Sequence, residues 1–188
     1  LPISGHIKEV GIELYQKMLE EAVAEARSGT SEQEEETSWS PQITAGMPVL
    51  IPENYVRDLG IRMGLYKRLA DMTEINEIEA FGAEMTDRFG PLPPEVENLM
   101  EIIVIKTLCR RANVEKIEAG PKGAVITLKN NRFPNPAGLV KFIAQNSGAA
   151  KLRPDQKIVY KRVWDIPKDR IRGMRKLMEK MADIASKT

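Results

Sequence analysis

Between residues 7 and 27, apolar side chains recur at intervals of mostly three and four: Ile7, Val10, Leu14, Met18, Leu19, Ala22 and Val23. That spacing predicts an amphipathic helix with a face of mainly Glu, Lys and Gln opposite. The pattern then stops. Residues 28–41, SGTSEQEEETSWSP, carry almost no apolar content and a glutamate run at Glu34, Glu35 and Glu36. This is the composition of a poorly ordered acidic linker. The stretch 42–51 has β character broken by Gly46 and Pro48, so an edge or irregular strand is expected there.

Helical spacing returns over about 60–71 and 74–89. A third helix is predicted over about 94–112, with Pro93 or Pro94 in its first turn and Glu95 and Glu97 suited to its N-terminal dipole. Its run Leu99, Met100, Ile102, Ile103, Val104, Ile105 is apolar on most sides, which predicts a central helix. The period then shortens to two. Residues 114–118 and 124–129 read as strands joined by a tight turn at Gly120-Pro121-Lys122-Gly123. Asn135-Pro136 reads as a cap with Pro at the first helical position, opening a helix to about residue 145. A third strand is predicted over 158–163 and a last helix over about 167–186.

The predicted order is therefore strand, three helices, two strands, helix, strand, helix. That is an α+β fold, a small and mostly antiparallel sheet packed with several helices, preceded by a separate amphipathic helix. Three segments are expected: the helix over 1–27, the linker over 28–41 and a folded domain over 42–188. The leading helix has no core of its own to join, and the chain does not begin with Met, so it reads as an excised piece of a longer protein.

Composition narrows the core chemistry. Apolar residues make up 42% of the chain but aromatics only 5%, so aliphatic and Met side chains must fill the interior. The net charge is +1, yet its distribution is uneven. Residues 1–50 hold 3 basic and 9 acidic groups, a net of −6, whereas residues 151–188 hold 12 basic and 5 acidic, a net of +7. Such asymmetry suits charged partners and says nothing of fold. One cysteine, Cys109, excludes an internal disulfide. No apolar run approaches the roughly 20 residues of a membrane span, and no secretory-signal pattern is visible.

No catalytic set emerges. His6 is the only histidine, so neither a His-based triad nor a His-rich metal site can be built. Cys109 lies on an apolar helix with no His to activate it and reads as a buried structural thiol. Nothing matches the GxxxxGK[ST] phosphate loop, and Gly120-Pro121-Lys122-Gly123 is too short to act as one. No cofactor is expected. Glu84, Asp87 and Arg88 are spaced three and four apart and share one helical face. Taken alone, they suggest an intrahelical Glu84–Arg88 pair worth about 0.2–0.5 kcal/mol.

The basic C-terminal segment carries Lys161, Arg162, Lys168, Arg170, Arg172, Arg175 and Lys176, with Tyr160 and Trp164 interleaved. Charge of this kind binds nucleic-acid phosphates without sequence specificity. The competing reading is a solvated helix face. Ile171, Met174, Met178, Met181 and Ala185 form an apolar stripe that would turn the Arg and Lys residues outward. The solvated face is the expectation, with a nucleic-acid-binding module as the alternative.

Four stretches, in order, resemble the C-terminal region of the bacterial transcription-repair coupling factors. Ser4-Gly5-His6-Ile7, continuing through Leu14-Tyr15 and Met18-Leu19-Glu20, is similar to the segment that follows the family's second motor lobe. Pro48-Val49-Leu50-Ile51-Pro52-Glu53-Asn54-Tyr55 resembles the start of its terminal domain, and Leu65-Tyr66-Lys67-Arg68-Leu69 its first helix. Asp87-Arg88-Phe89-Gly90-Pro91-Leu92-Pro93 resembles its most distinctive stretch, and with Glu84 completes the motif ExxDRFG. The resemblance is weaker from Val114 onward.

The resemblance implies a non-catalytic, autoinhibitory domain of a bacterial cytoplasmic protein. The parent would be an ATP-driven DNA translocase that removes stalled RNA polymerase and then recruits the excision-repair protein UvrA. The terminal domain would pack on the parent's N-terminal UvrB-like module and mask the UvrA-binding surface. Glu84, Asp87 and Arg88 would lie at that domain interface, and the leading helix would contact the motor lobe. No ATPase motif is present, and neither DNA contact by this piece nor a membrane is expected.

Overall fold

The computed structural model describes residues 39–187. The expected helix over 7–27, its contact with a motor lobe, His6 and most of the expected linker lie outside the described residues. The chain divides into two compact units. Among the described residues, the first comprises Trp39 and 47–103, and the second 40–46 and 104–187.

The first unit holds helix α1 (Leu59–Asp71) and helix α2 (Ile75–Phe89), and takes in the N-terminal part of α3 (Pro94–Arg111). Asp58 caps α1 by accepting a 2.8 Å bond from the Ile61 amide, satisfying one of the helix's orphan donors. Helix α2 buries Ile78, Phe81, Gly82 and Met85, the i, i+3, i+4, i+7 face that its sequence promised. Burial of side chains such as Leu69, Ile78, Phe81 and Met85 contributes about 1.5–3 kcal/mol each. Helix α2 ends at Gly90, whose φ of 96° lies in the region that side chains with a Cβ disfavour.

The second unit is built on a five-stranded sheet of order β1-β2-β3-β5-β4. Its strands are β1 (Gln42–Thr44), β2 (Val114–Gly120), β3 (Gly123–Leu128), β4 (Ala150–Leu152) and β5 (Ile158–Lys161). β1 pairs with β2 in parallel, and the other pairings are antiparallel, so the sheet is mixed and mostly antiparallel. Helices α4 (Pro136–Gln145) and α5 (Pro167–Ser186) complete the unit. Asn135 opens α4 as expected, its Oδ1 accepting from the Gly138 amide at 3.0 Å. Its Nδ2 donates to the Ile184 and Lys187 carbonyls at 3.0 Å each, which ties the start of α4 to the end of α5.

The α+β architecture matches the expectation, with differences at the sheet edges. The expected strand over 42–51 stops at Thr44. Gly46 takes φ 66°, Pro48 lacks a donor, and the Ile51 amide bonds the Tyr66 hydroxyl at 2.7 Å rather than a neighbouring strand. β4 was not foreseen, because three residues, Ala-Lys-Leu, are too few to show a period. β5 ends at Lys161, two residues short of the expected 163. There the Arg162 and Trp164 amides turn to the carbonyls of Lys122 (3.1 Å) and Pro121 (2.8 Å) in the β2–β3 turn.

Candidate domain-interface site

Glu84, Asp87 and Arg88 lie on the last turns of α2. The expected Glu84–Arg88 contact is present, with Arg88 Nη1 3.1 Å from Glu84 Oε2. A second cation, absent from the sequence reading of the site, dominates it. Arg68 of α1 donates Nη1 to Glu84 Oε2 at 2.6 Å and Nη2 to Oε1 at 2.9 Å. This parallel fork matches guanidinium to carboxylate and is stronger and more directional than a single contact. The signal available in sequence was indirect: Arg68 belongs to the LYKRL stretch, sixteen residues away on another helix.

Each arginine is also seated on an aromatic ring. The Arg68 Cζ lies 5.2 Å from the Phe81 centroid and the Arg88 Cζ 4.9 Å from that of Phe89. Hydrogen bonds from Arg68 first, then from Arg88, hold the Glu84 carboxyl down at about 2, so it stays ionised through ordinary pH. The Arg68 guanidinium is correspondingly pushed up by its bond to Glu84.

Asp87 differs. It is exposed, and among the described residues no hydrogen bond or ion pair engages its carboxylate. The four groups are balanced in charge but distinct in availability. Glu84 is committed within the fold, while Asp87 and the outer N–H groups of both arginines face solvent.

Tyr55 anchors the end of the same helix. Its hydroxyl lies 2.8 Å from the Gly90 carbonyl oxygen and 3.1 Å from that of Met85, donating between them, and its ring sits 5.8 Å from Phe89. The tertiary fold thus brings together three of the four recognised stretches: Tyr55 from the second, Arg68 from the third and Glu84 to Gly90 from the fourth.

The basic C-terminal segment resolves differently from its expectation at one residue. Arg170 does not turn outward. It is 6% exposed, and donates Nη1 to the Ala45 carbonyl at 2.6 Å and both Nε (3.3 Å) and Nη2 (3.1 Å) to that of Trp164. The rest of the stripe behaves as expected: Ile171, Met174, Met178, Met181 and Ala185 are buried, while Lys168, Arg172 and Lys176 are exposed.

Cys109 is fully buried and its thiol is pushed up to about 12 by desolvation, as expected of a structural cysteine. Among the described residues, no group of three His, Cys, Asp or Glu side chains could hold a metal, and no helix is long and apolar enough to cross a membrane.

Comparison with known proteins gives a consistent picture. The family model described as "TRCF domain" matches residues 45–139. The transcription-repair-coupling factor of Rickettsia conorii is 44% identical over 159 residues, covering 84% of this chain. That of Escherichia coli is 28% identical over 183 residues, covering 97%. The chain spans only 14% and 16% of the lengths of these two relatives. A crystal structure of the C-terminal domain of a transcription-repair coupling factor superposes with a TM-score of 0.68 over 81% of this chain and 98% of that one. Its sequence identity is 18%, so it speaks to the fold.

Proposed function

The chain belongs to the TRCF-domain family, the C-terminal domain of transcription-repair coupling factors, and from that premise we propose that it is a non-catalytic, autoinhibitory cover within its parent protein. In this reading it docks on the parent's N-terminal UvrB-like module and hides the surface that binds UvrA. Docking lasts until the parent, an ATP-dependent DNA translocase, engages stalled RNA polymerase. The domain itself neither hydrolyses ATP nor translocates.

One observation carries the reading: two recognised stretches meet in a patterned, solvent-facing set of charges, Arg68 from one and Glu84, Asp87 and Arg88 from the other, while Tyr55 of a third holds the end of the same helix. Ion pairs of this exposure are modest in strength, about 0 to 1 kcal/mol each. They set register and partner choice more than affinity, and a competing conformational change can release them. Both properties suit a latch that must open.

In this reading the labour is divided among the residues. Asp87 answers a basic group of the partner module. Arg68 and Arg88 offer N–H donors to an acidic one. Glu84 acts from beneath, fixing both guanidiniums. Charge reversal at Asp87 in the full-length parent should raise UvrA binding, and so should Glu84→Ala, which frees both arginines. UvrA binding unchanged by both substitutions would refute the latch.

A further inference from the structure

A ridge of uncompensated cations runs along α5. Lys168, Arg172, Lys176 and Lys180 follow one another at every fourth residue, about 6 Å apart along the helix. All four are exposed, and among the described residues none has an ion-pair partner. The carboxylates nearest the helix's end are engaged elsewhere, Glu179 with Arg175 at 3.0 Å and Asp183 with Lys187 at 3.2 Å. Like charges one turn apart repel and cost the helix stability. A polyanion laid along the ridge relieves that repulsion.

The ridge borders a groove of about 570 Å³, lined by Arg172, Lys176 and Lys180 together with Arg162. Arg162 is held in place: its Cζ lies 4.3 Å from the Tyr160 centroid and its Nη2 donates to the Tyr160 hydroxyl at 2.6 Å. The bonds from the Arg162 and Trp164 amides to the β2–β3 turn fix the backbone beneath it. The groove floor is rigid, because Trp164 packs directly on Gly173, where an added Cβ would overlap the indole. Asp169 is the one carboxylate in the lining.

We propose that this ridge and groove bind the phosphate backbone of duplex DNA. The one-turn spacing of the cations is of the order of the distance between successive phosphates on a strand, which suits a regular polyanion. Unpaired bases would need an open aromatic face on which to stack. Among the described residues of the groove the aromatic rings are already engaged: Arg162 lies 4.3 Å from the Tyr160 centroid, Phe142 stacks with Tyr160 at 6.4 Å, and Trp164 is buried. Backbone contact without base readout is therefore the mode of binding. The apolar side of α5 is buried within its unit, so the helix cannot lie in a bilayer by that face.

The test uses the 188-residue chain and fluorescence anisotropy with a labelled 20-base-pair duplex of arbitrary sequence over a series of NaCl concentrations. A single strand of equal length and a poly-glutamate peptide serve as competing probes. With four to five phosphates neutralised, the plot of log affinity against log salt should fall with a slope of about −4. The combined Arg172→Gln, Lys176→Gln and Lys180→Gln variant, altered only at exposed positions, should make that slope shallower by about 3, while Lys67→Gln leaves it as it was. Three results would overturn the proposal. They are no duplex binding at low salt, a slope unmoved in the triple variant whose circular dichroism is native, and tighter binding of the single strand or of poly-glutamate.

Discussion

Arg68 grips Glu84 through two parallel hydrogen bonds, 2.6 and 2.9 Å, and so turns two helices and one carboxylate into a single preorganised charge array. The bridge commits the Glu84 carboxylate within the fold, whereas Asp87 is exposed and has no ion-pair partner among the described residues. That distinction separates the surroundings of two residues that stand only three apart in the sequence.

Titration of Glu84 reports the bridge directly. Its carboxyl sits at about 2 against a usual 4.5, a depressed value. The stabilisation is therefore complete above about 4.5 and is lost as pH falls from there through about 2. Carboxyl-resolved NMR should place Glu84 as an outlier among the glutamates. Arg68→Met should return it most of the way to normal, and Arg88→Met less far, because Arg68 makes the leading hydrogen bond. Equal shifts in both variants would contradict the geometry.

Arg170 should matter for stability more than any other cation of α5. Its guanidinium is buried and bonds the Ala45 and Trp164 carbonyls, joining β1's end to the start of α5. Arg170→Ala leaves both carbonyl groups buried without a donor, at a cost of about 2–3 kcal/mol. Urea denaturation should show the loss, with Arg172→Ala, an exposed neighbour, changing stability by less than about 0.5 kcal/mol.

Gly123 is a second sensitive position. Its φ is 122°, and a Cβ there would overlap the Tyr160 backbone carbonyl oxygen in the β3–β5 pairing. Gly123→Ala combines a disfavoured backbone conformation with a backbone clash and should cost at least about 2 kcal/mol. Thermal melts compared with Gly148→Ala, where a Cβ meets nothing within 4 Å, isolate the effect.

Cys109 should be silent to thiol reagents in the folded protein. Burial pushes its thiol up to about 12, and the side chain has no exposed surface. At pH 8 an aromatic disulfide reagent should label it only at the rate of unfolding, and urea should release full reactivity. Rapid labelling of the native protein would show that α3 opens around the thiol.

The sequence by itself determined most of the secondary structure, because period and punctuation are local properties. The i, i+3, i+4, i+7 face of α2, the Asn135-Pro136 start of α4 and the buried stripe of α5 each follow from neighbours within a turn or two. The family, too, was legible from short stretches that keep their residues in order. Weak or non-local features escaped. β4 had too few residues to show a period, and β1 was cut short where Gly46 and the Ile51 amide left the strand.

Tertiary structure alone decided how side chains far apart in sequence pair, since spacing within a helix carries no information about another helix. Arg68 reaching Glu84, Tyr55 closing on Gly90, and Arg170 turning inward to Ala45 across 125 positions are long-range choices made by packing. Arg170 shows the reason most plainly. A basic residue beside an apolar stripe belongs outside by its own chemistry, until the fold brings two buried carbonyl oxygens within its reach and burial with hydrogen bonds becomes the stable state.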